Sequence, residues 1–303
     1  MEFGIWSWVL FNTFVLGMLA LDLGVFHRKP HKIQAREALI WTSVWILLAS
    51  IFGLGIYIFG GGQLALEFFT GFIVEKSLSV DNIFVIFMIF SYFKAPSRYQ
   101  HKVLFWGILG ALVMRALFIF GGIALIQQYH SIIYVFGAFL VFSGIKMALP
   151  KKAEITLEKN IVLRALRTFL PITEAHEDDS FFVRTKRGIA LTPLFVTLVM
   201  VETTDIIFAV DSIPAILAIS SNSFIVYTSN AFALLGMRSL FFAVSKLISI
   251  FRFMSFGLAT ILAFIGAKML LTDVYTIPTV VALSVVLGSL GLSVLASIKW
   301  PSK

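Results

Sequence analysis

The sequence predicts an all-α, polytopic membrane protein, and three observations carry that expectation: the composition, the length of the apolar runs and the placement of the basic residues. Of 303 residues, 59% are hydrophobic and 13% are charged, with a mean hydropathy of +0.96. A water-soluble domain of that composition would lack the polar residues to cover its surface. Apolar runs able to span about 30 Å of hydrocarbon at about 1.5 Å per residue recur along nearly the whole chain. They are too long for membrane strands, so no strands are expected.

Nine spans are read, at 5–26, 37–60, 64–93, 102–126, 131–149, 189–219, 222–246, 252–272 and 277–298. Met1 to Gly4 lack the basic region of a secretory signal, and the apolar run after them is too long for one, so that run reads as the first transmembrane helix. Loops on one side hold Arg28, Lys29, Lys32 and Arg36, then Lys94, Arg98 and Lys102, then the 150–188 segment, then Lys246 and Arg252, then Lys299 and Lys303. The opposite loops hold no Lys or Arg. That segregation places the N-terminus outside and the C-terminus inside. It also accounts for the net charge of +8 without nucleic acid, which would need a basic soluble face. The absence of cysteine excludes disulfides, thiolate metal sites and thiol catalysis.

The long loop, 150–188, contains a run from Glu158 to Leu170 with apolar residues at helical spacing, suited to a short helix at the cytoplasmic interface. It then turns acidic through Glu174, Glu177, Asp178 and Asp179, with His176 among them; this reads as a solvated linker and is assigned no site.

Three landmarks occur twice in the same order. Val80-Asp81-Asn82-Ile83 is echoed by Val210-Asp211-Ser212-Ile213, with Glu75 and Asp205 each six residues before the aspartate. Met114-Arg115-Ala116-Leu117-Phe118 is echoed by Met237-Arg238-Ser239-Leu240-Phe241, and Gly144-Ile145-Lys146-Met147 by Gly266-Ala267-Lys268-Met269. The offsets are 130, 123 and 122 residues. Each copy holds three spans, an odd number, so the second must enter the membrane from the opposite side. The chain then forms one transmembrane domain, 1–303, with a first repeat at 64–149, the cytoplasmic loop at 150–188 and an inverted second repeat at 189–272. Inverted-repeat transporters place substrate at the midplane between their halves.

Glu75, Asp81, Glu202, Asp205 and Asp211 fall near the middle of spans, where an ionised side chain costs about 2.5–3.5 kcal/mol. They either pair with Lys76, Arg115, Lys146, Arg238 and Lys268 to hold helices together, or they line a path for a cation. Neutral polar groups would join helices at lower cost, which favours the path. Residues six apart differ by about 120° and rise about 9 Å, so Glu75 and Asp81 cannot share one ion on an unbroken helix. Either the helix breaks or the acids form two layers. Pro214 suggests a break near Asp211, and Thr70-Gly71 a weaker one before Glu75. Glu202 and Asp205, three apart, share a face. Asn82, Ser212, Thr203 and Thr204 add neutral oxygens. An oxygen-only set suits Mg, Ca or Mn, since softer ions would recruit imidazole or sulfur. Met200 and Met237 read as packing, and Asp22, near a span end, either snorkels or pairs with Arg28 or has a role in transport. The candidate metal ligands are therefore Glu75, Asp81, Asn82, Glu202, Asp205, Asp211 and Ser212. No resident cofactor is implied; the partners expected are a divalent cation, protons and the lipid bilayer.

The run Phe69-Thr70-Gly71-Phe72-Ile73-Val74-Glu75-Lys76-Ser77-Leu78-Ser79-Val80-Asp81-Asn82, together with the run from Val201-Glu202-Thr203-Thr204-Asp205 to Asp211-Ser212-Ile213-Pro214, resembles the TerC family of integral membrane proteins. Leu21-Asp22-Leu23-Gly24, Phe182-Val183-Arg184 and Gly266-Ala267-Lys268-Met269 extend the resemblance over essentially the whole chain. That family was named for tellurium resistance, and its better understood bacterial members export manganese. The resemblance thus implies Mn2+ efflux across a bacterial cytoplasmic membrane, with the five acids in the metal path. Plant members are linked instead to thylakoid biogenesis, so an assembly or stress-response role without transport is the competing expectation. Enzyme activity is not expected: an intramembrane aspartyl protease would need Tyr-Asp and Gly-x-Gly-Asp signatures, and neither occurs at Asp81, Asp205 or Asp211.

Overall fold

The computed structural model describes residues 3–21, 35–149, 163–164, 173, 180–185, 188–244 and 253–300. Ten helices and one hairpin lie among them: α1 (Ile5–Leu21), α2 (Ala35–Gly60), α3 (Gly62–Tyr92), α4 (Ser97–Gln128), α5 (Ile132–Ala148), β1 (Phe182–Thr185), β2 (Gly188–Leu191), α6 (Pro193–Leu217), α7 (Ser223–Leu235), α8 (Met237–Val244), α9 (Met254–Leu270) and α10 (Thr279–Lys299). Four of these, α2, α4, α6 and α10, are each long and apolar enough to cross a membrane, and α7 with α8 makes a fifth span bent by 43°. The apolar helices α1, α5 and α9 are shorter, at 17 residues each. By contrast α3 runs for 31 residues but carries Glu67, Glu75, Lys76 and Asp81.

Each expected span coincides with a helix or with the bent pair, and four local expectations need correction. The helix expected at 222–246 breaks at Gly236. There the Lys76 ammonium fills the space a side chain would need and donates to Ala233 O at 3.2 Å, taking up a carbonyl near the end of α7. Conversely, α6 runs unbroken through Pro214. The proline lies in the last turn, where Ala218 N still bonds Pro214 O at 3.1 Å, so its missing donor costs little continuity. Likewise α3 is continuous through Thr70 and Gly71. The sixth span starts at Pro193 rather than 189, because 188–191 pairs antiparallel with 182–185 in a hairpin that an all-helical reading did not include. Gly188, at φ 120°, supplies the turn geometry. Thr192 then caps α6, accepting from Phe195 N at 3.4 Å and donating to Ser180 O at 2.8 Å, while Pro193 occupies the first turn that suits it.

Small residues set how closely the helices approach. Where α5 crosses α9, a β-carbon on Gly144 would stand 2.7 Å from Ala259 O, and one on Gly266 would stand 2.7 Å from Gly137 O. These contacts exchange with one another under the 122-residue offset, since Gly137 corresponds to Ala259 and Gly144 to Gly266. The same exchange relates larger pairings: α3 packs on α7 and α8, and α4 packs on α6. On the periphery, Trp8 and Phe11 of α1 pack on Phe224 and Tyr227 of α7, and Tyr227 donates to Asn12 at 2.7 Å. The expected interfacial helix lies outside the described residues except for Leu163 and Arg164, which are helical. Asp22 and the acidic run at 174–179 also lie outside them.

Candidate functional site

The core of the molecule holds the acids of α3 and α6 in two layers, the second of the two alternatives that helical geometry allowed. In the first layer Arg115 of α4, only 1% exposed, stands between the halves. Its Nη1 donates to Glu75 of α3 and, at 3.3 Å, to Asn230 of α7. Its Nη2 reaches Asp205 of α6 at 3.5 Å. Glu75 and Asp205 are buried too, and each keeps one carboxylate oxygen without a hydrogen-bond partner. With both acids ionised this group carries a net charge of −1, an arrangement that low-dielectric surroundings tolerate only with a further cation or a proton.

Glu202, one turn before Asp205, lies flat on Gly110 of α4, where any side chain would collide with its carboxylate. It acts electrostatically on Asp205. Gly107 likewise admits Val201. The glycines of α4 therefore let α6 come close enough for Asp205 to reach Arg115.

The second layer is a cavity of about 370 Å³ between α3, α5 and α6. Asp81 and Asn82 line it from α3, Asp211 and Ser212 from α6, and Ser143 and Lys146 from α5. Ser143 donates to Asp211 at 2.7 Å, while the buried Ser212 hydroxyl has no hydrogen-bond partner. At roughly 30 Å³ per water, such a space admits an ion together with part of its hydration shell. A much smaller cavity beside Thr204 and Asp205 is edged by Met237 and Gly107. Both Met200 and Met237 are core residues.

Of the seven sequence candidates, the structure thus joins Glu75 to Asp205 through Arg115 and groups Asp81, Asn82, Asp211 and Ser212 around one cavity; Glu202 stands apart against α4. Among the described residues, no three His, Cys, Asp or Glu side chains are grouped closely enough to hold a metal in this conformation. Arg238, the repeat counterpart of Arg115, is buried as well. Lys268 lies near enough to Glu67 to interact with it electrostatically. Sequence reasoning missed Asn230, Ser143 and Gly110. A signal existed for the first, since Ser229-Asn230 is a polar pair in the middle of an apolar run.

Fold and site together define a multi-pass helical membrane protein with carboxylates buried between its helices. The Integral membrane protein TerC family model matches residues 61–303. The chain belongs to that family. It is 47% identical to the uncharacterized membrane protein STKORF319 of Myxococcus xanthus, over 96% of this chain and 91% of that one. It is also 44% identical to Alx of Salmonella typhi, whose name provisionally describes it as a membrane-bound redox modulator, over 93% and 91% of the two chains. An uncharacterized membrane protein of Rickettsia bellii is 38% identical over 96% of this chain and 97% of its own. No solved structure matches.

Proposed function

We propose that the protein is a secondary transporter of the bacterial cytoplasmic membrane that exports a divalent cation, Mn2+, in exchange for protons. One observation carries this reading: acids from α3 and α6 meet between the helices, Glu75 and Asp205 buried on a single arginine, Asp81 and Asp211 half-buried around a single cavity. A scaffold that only joined helices would have little reason to leave carboxylate oxygens buried and unpartnered, or to keep a polar cavity between them.

In the proposed mechanism Asp81 and Asp211, with Asn82 and Ser212, replace part of the ion's water shell. Glu75 and Asp205 form the adjoining layer, with Glu202 beside Asp205 against α4. There, closely spaced carboxylates in low dielectric compete between proton and metal, so one species leaves as the other binds. The chain is arranged as inverted repeats 64–149 and 189–272, with its N-terminus outside. The exchange of contacts between α5 and α9 supports that arrangement. Alternating exposure would come from rocking of one repeat against the other around the buried acids.

The name of the Salmonella relative suggests a redox role instead. With no cysteine, this chain could not serve such a role through thiols of its own. The deciding experiment loads the purified protein into liposomes and follows uptake of Mn2+, Ca2+, Mg2+ and Zn2+ with internal indicators. Protein-dependent flux of Mn2+ supports the proposal. Protein that moves none of the four ions returns the reading to a scaffold or assembly factor.

A further inference from the structure

Glu67 is the one acid of α3 that the proposed transport cycle does not use. It stands two turns before Glu75, half-buried, at the end of the helix that charge segregation places outside. Both of its carboxylate oxygens are taken. Oε1 accepts from Gln63 Nε2 at 2.9 Å, and the same nitrogen reaches Thr279 Oγ1 of α10 at 3.3 Å. Oε2 accepts from Ser220 Oγ, just after α6, at 2.6 Å. Ser220 is 5% exposed, and its Oγ itself accepts from Asn222 N at 3.1 Å, so its single proton is left for Glu67. Lys268 of α9 adds a positive charge nearby. A carboxylate of the first repeat is thus clasped by groups of the second.

The neighbours show what the clasp closes. Ser220 also lines a cavity of about 270 Å³ between the ends of α4, α6 and α9, together with Gln127, Leu217 and Thr272. Deeper along α3, Gly71 lies four residues from both Glu67 and Glu75, on the face they share. A β-carbon there would stand 3.0 Å from Ser229 Oγ and 3.3 Å from the Ile216 side chain. Helices α6 and α7 therefore press on the α3 backbone between Glu67 and the arginine-bound acids, leaving no room for a hydrated ion. The repeats differ at this point. Under the 130-residue offset Glu67 corresponds to Thr197 and Ser220 to Phe90, and Thr197 donates to Pro193 O of its own helix at 2.7 Å. A clasp present in one repeat and missing at the equivalent positions of the other makes the two faces of an inverted repeat unequal.

We propose that the Glu67–Ser220 bond is the outer gate of the transport path: it holds the end of α6 against α3 while the inner acids load, and it parts before the ion leaves. This rests on the metal-transport reading and adds to it the residues that shut one face. The alternative is a static tie between helix ends.

The chain has no cysteine, so introduced thiols report without background. Ile216 is 1% exposed and lies behind the clasp, against Gly71. The full-length protein carrying Ile216→Cys is treated with a membrane-impermeant thiosulfonate in right-side-out and inside-out membrane vesicles, with labelling read by mass spectrometry. Adding Ser220→Ala or Glu67→Ala should speed labelling from outside about tenfold or more, as expected for losing a hydrogen bond to a charged group, and should not speed it from inside. A second measurement bridges the pair Glu67→Cys/Ser220→Cys with a short bis-thiosulfonate in liposomes: Mn2+ flux should stop on bridging and return on reduction. Unchanged outside labelling in both alanine variants, or flux that persists in the bridged protein, overturns the inference and leaves a static tie. Where the cysteine pair carries no flux before bridging, the labelling decides alone. Absence of Mn2+ flux through the wild-type protein overturns the transport reading itself, and the gate with it.

Discussion

Replacing Arg115 by methionine tests whether the two halves of the protein are held together by charge. The guanidinium is almost completely buried and bonds Glu75, Asn230 and, at the longer distance of 3.5 Å, Asp205. Methionine keeps most of the volume and removes the charge, leaving two buried carboxylates uncompensated. Breaking a buried pair by removing one partner costs about 3–5 kcal/mol. The protein can limit the loss by protonating Glu75: keeping a carboxyl neutral at pH 7, about three units above its ordinary value, costs about 4 kcal/mol. The two estimates agree, and about 4 kcal/mol corresponds to a fall of roughly 10 °C in melting temperature. Melting in detergent, followed by size-exclusion fluorescence, should show that fall together with a reduced yield of folded protein. Adding Glu75→Gln should restore most of it. Adding Asp205→Asn should restore less, because Asp205 holds the arginine by the longer contact. Equal melting temperatures for Arg115→Met and both double variants would show that the acids are not what the arginine compensates.

Asp81→Asn and Asp211→Asn should each abolish Mn2+ flux while inserting at least as well as wild type; near-normal flux in either removes it from the ligand set. Gly144→Val should cost about 1–3 kcal/mol or more from overpacking against Ala259 O, 2.7 Å from its β-carbon, whereas Gly291→Ala, in open space, should leave the melting temperature unchanged. In the loop after α9, the Tyr134 hydroxyl and then His130 hold the Asp273 carboxyl below its ordinary value of 3.8. With the folded value below the unfolded one, the tie is at full strength above pH 3.8 and is lost as pH falls through the lower value. A spin label at Val274→Cys, unique in a chain without cysteine, should therefore gain mobility only at strongly acid pH, and Asp273→Asn should show that mobility already at pH 6.

The membrane class and the positions of the helices were legible because long apolar runs and segregated charge are properties of sequence alone. So was the conflict between Glu75 and Asp81, which follows from helical rise. How it is resolved was not legible: two layers on a continuous α3 depend on Arg115 arriving from α4, and nothing in one dimension says which acid an arginine will meet. The broken helix was placed at Pro214 when the break lies at Gly236. Proline is the stronger local signal, but in a last turn it does little, while the glycine acts because Lys76 of a distant segment fills its open side. The hairpin before α6 was hidden for a related reason. Its strands are four residues each, and Gly188 and Pro193 mark the turn and the helix start only once pairing is known.

The proposed exchange of a divalent metal for protons would offset the cost of moving two charges outward, about 4.6 kcal/mol per 100 mV against a negative interior. The most direct measurement records Mn2+ and pH together in liposomes holding the purified protein, with the membrane potential clamped to zero by potassium and valinomycin. With such exchange a pH gradient alone drives Mn2+ uphill, and each Mn2+ moving one way is matched by proton movement the other way. Mn2+ that only equilibrates, indifferent to the pH gradient and moving no protons, would contradict it.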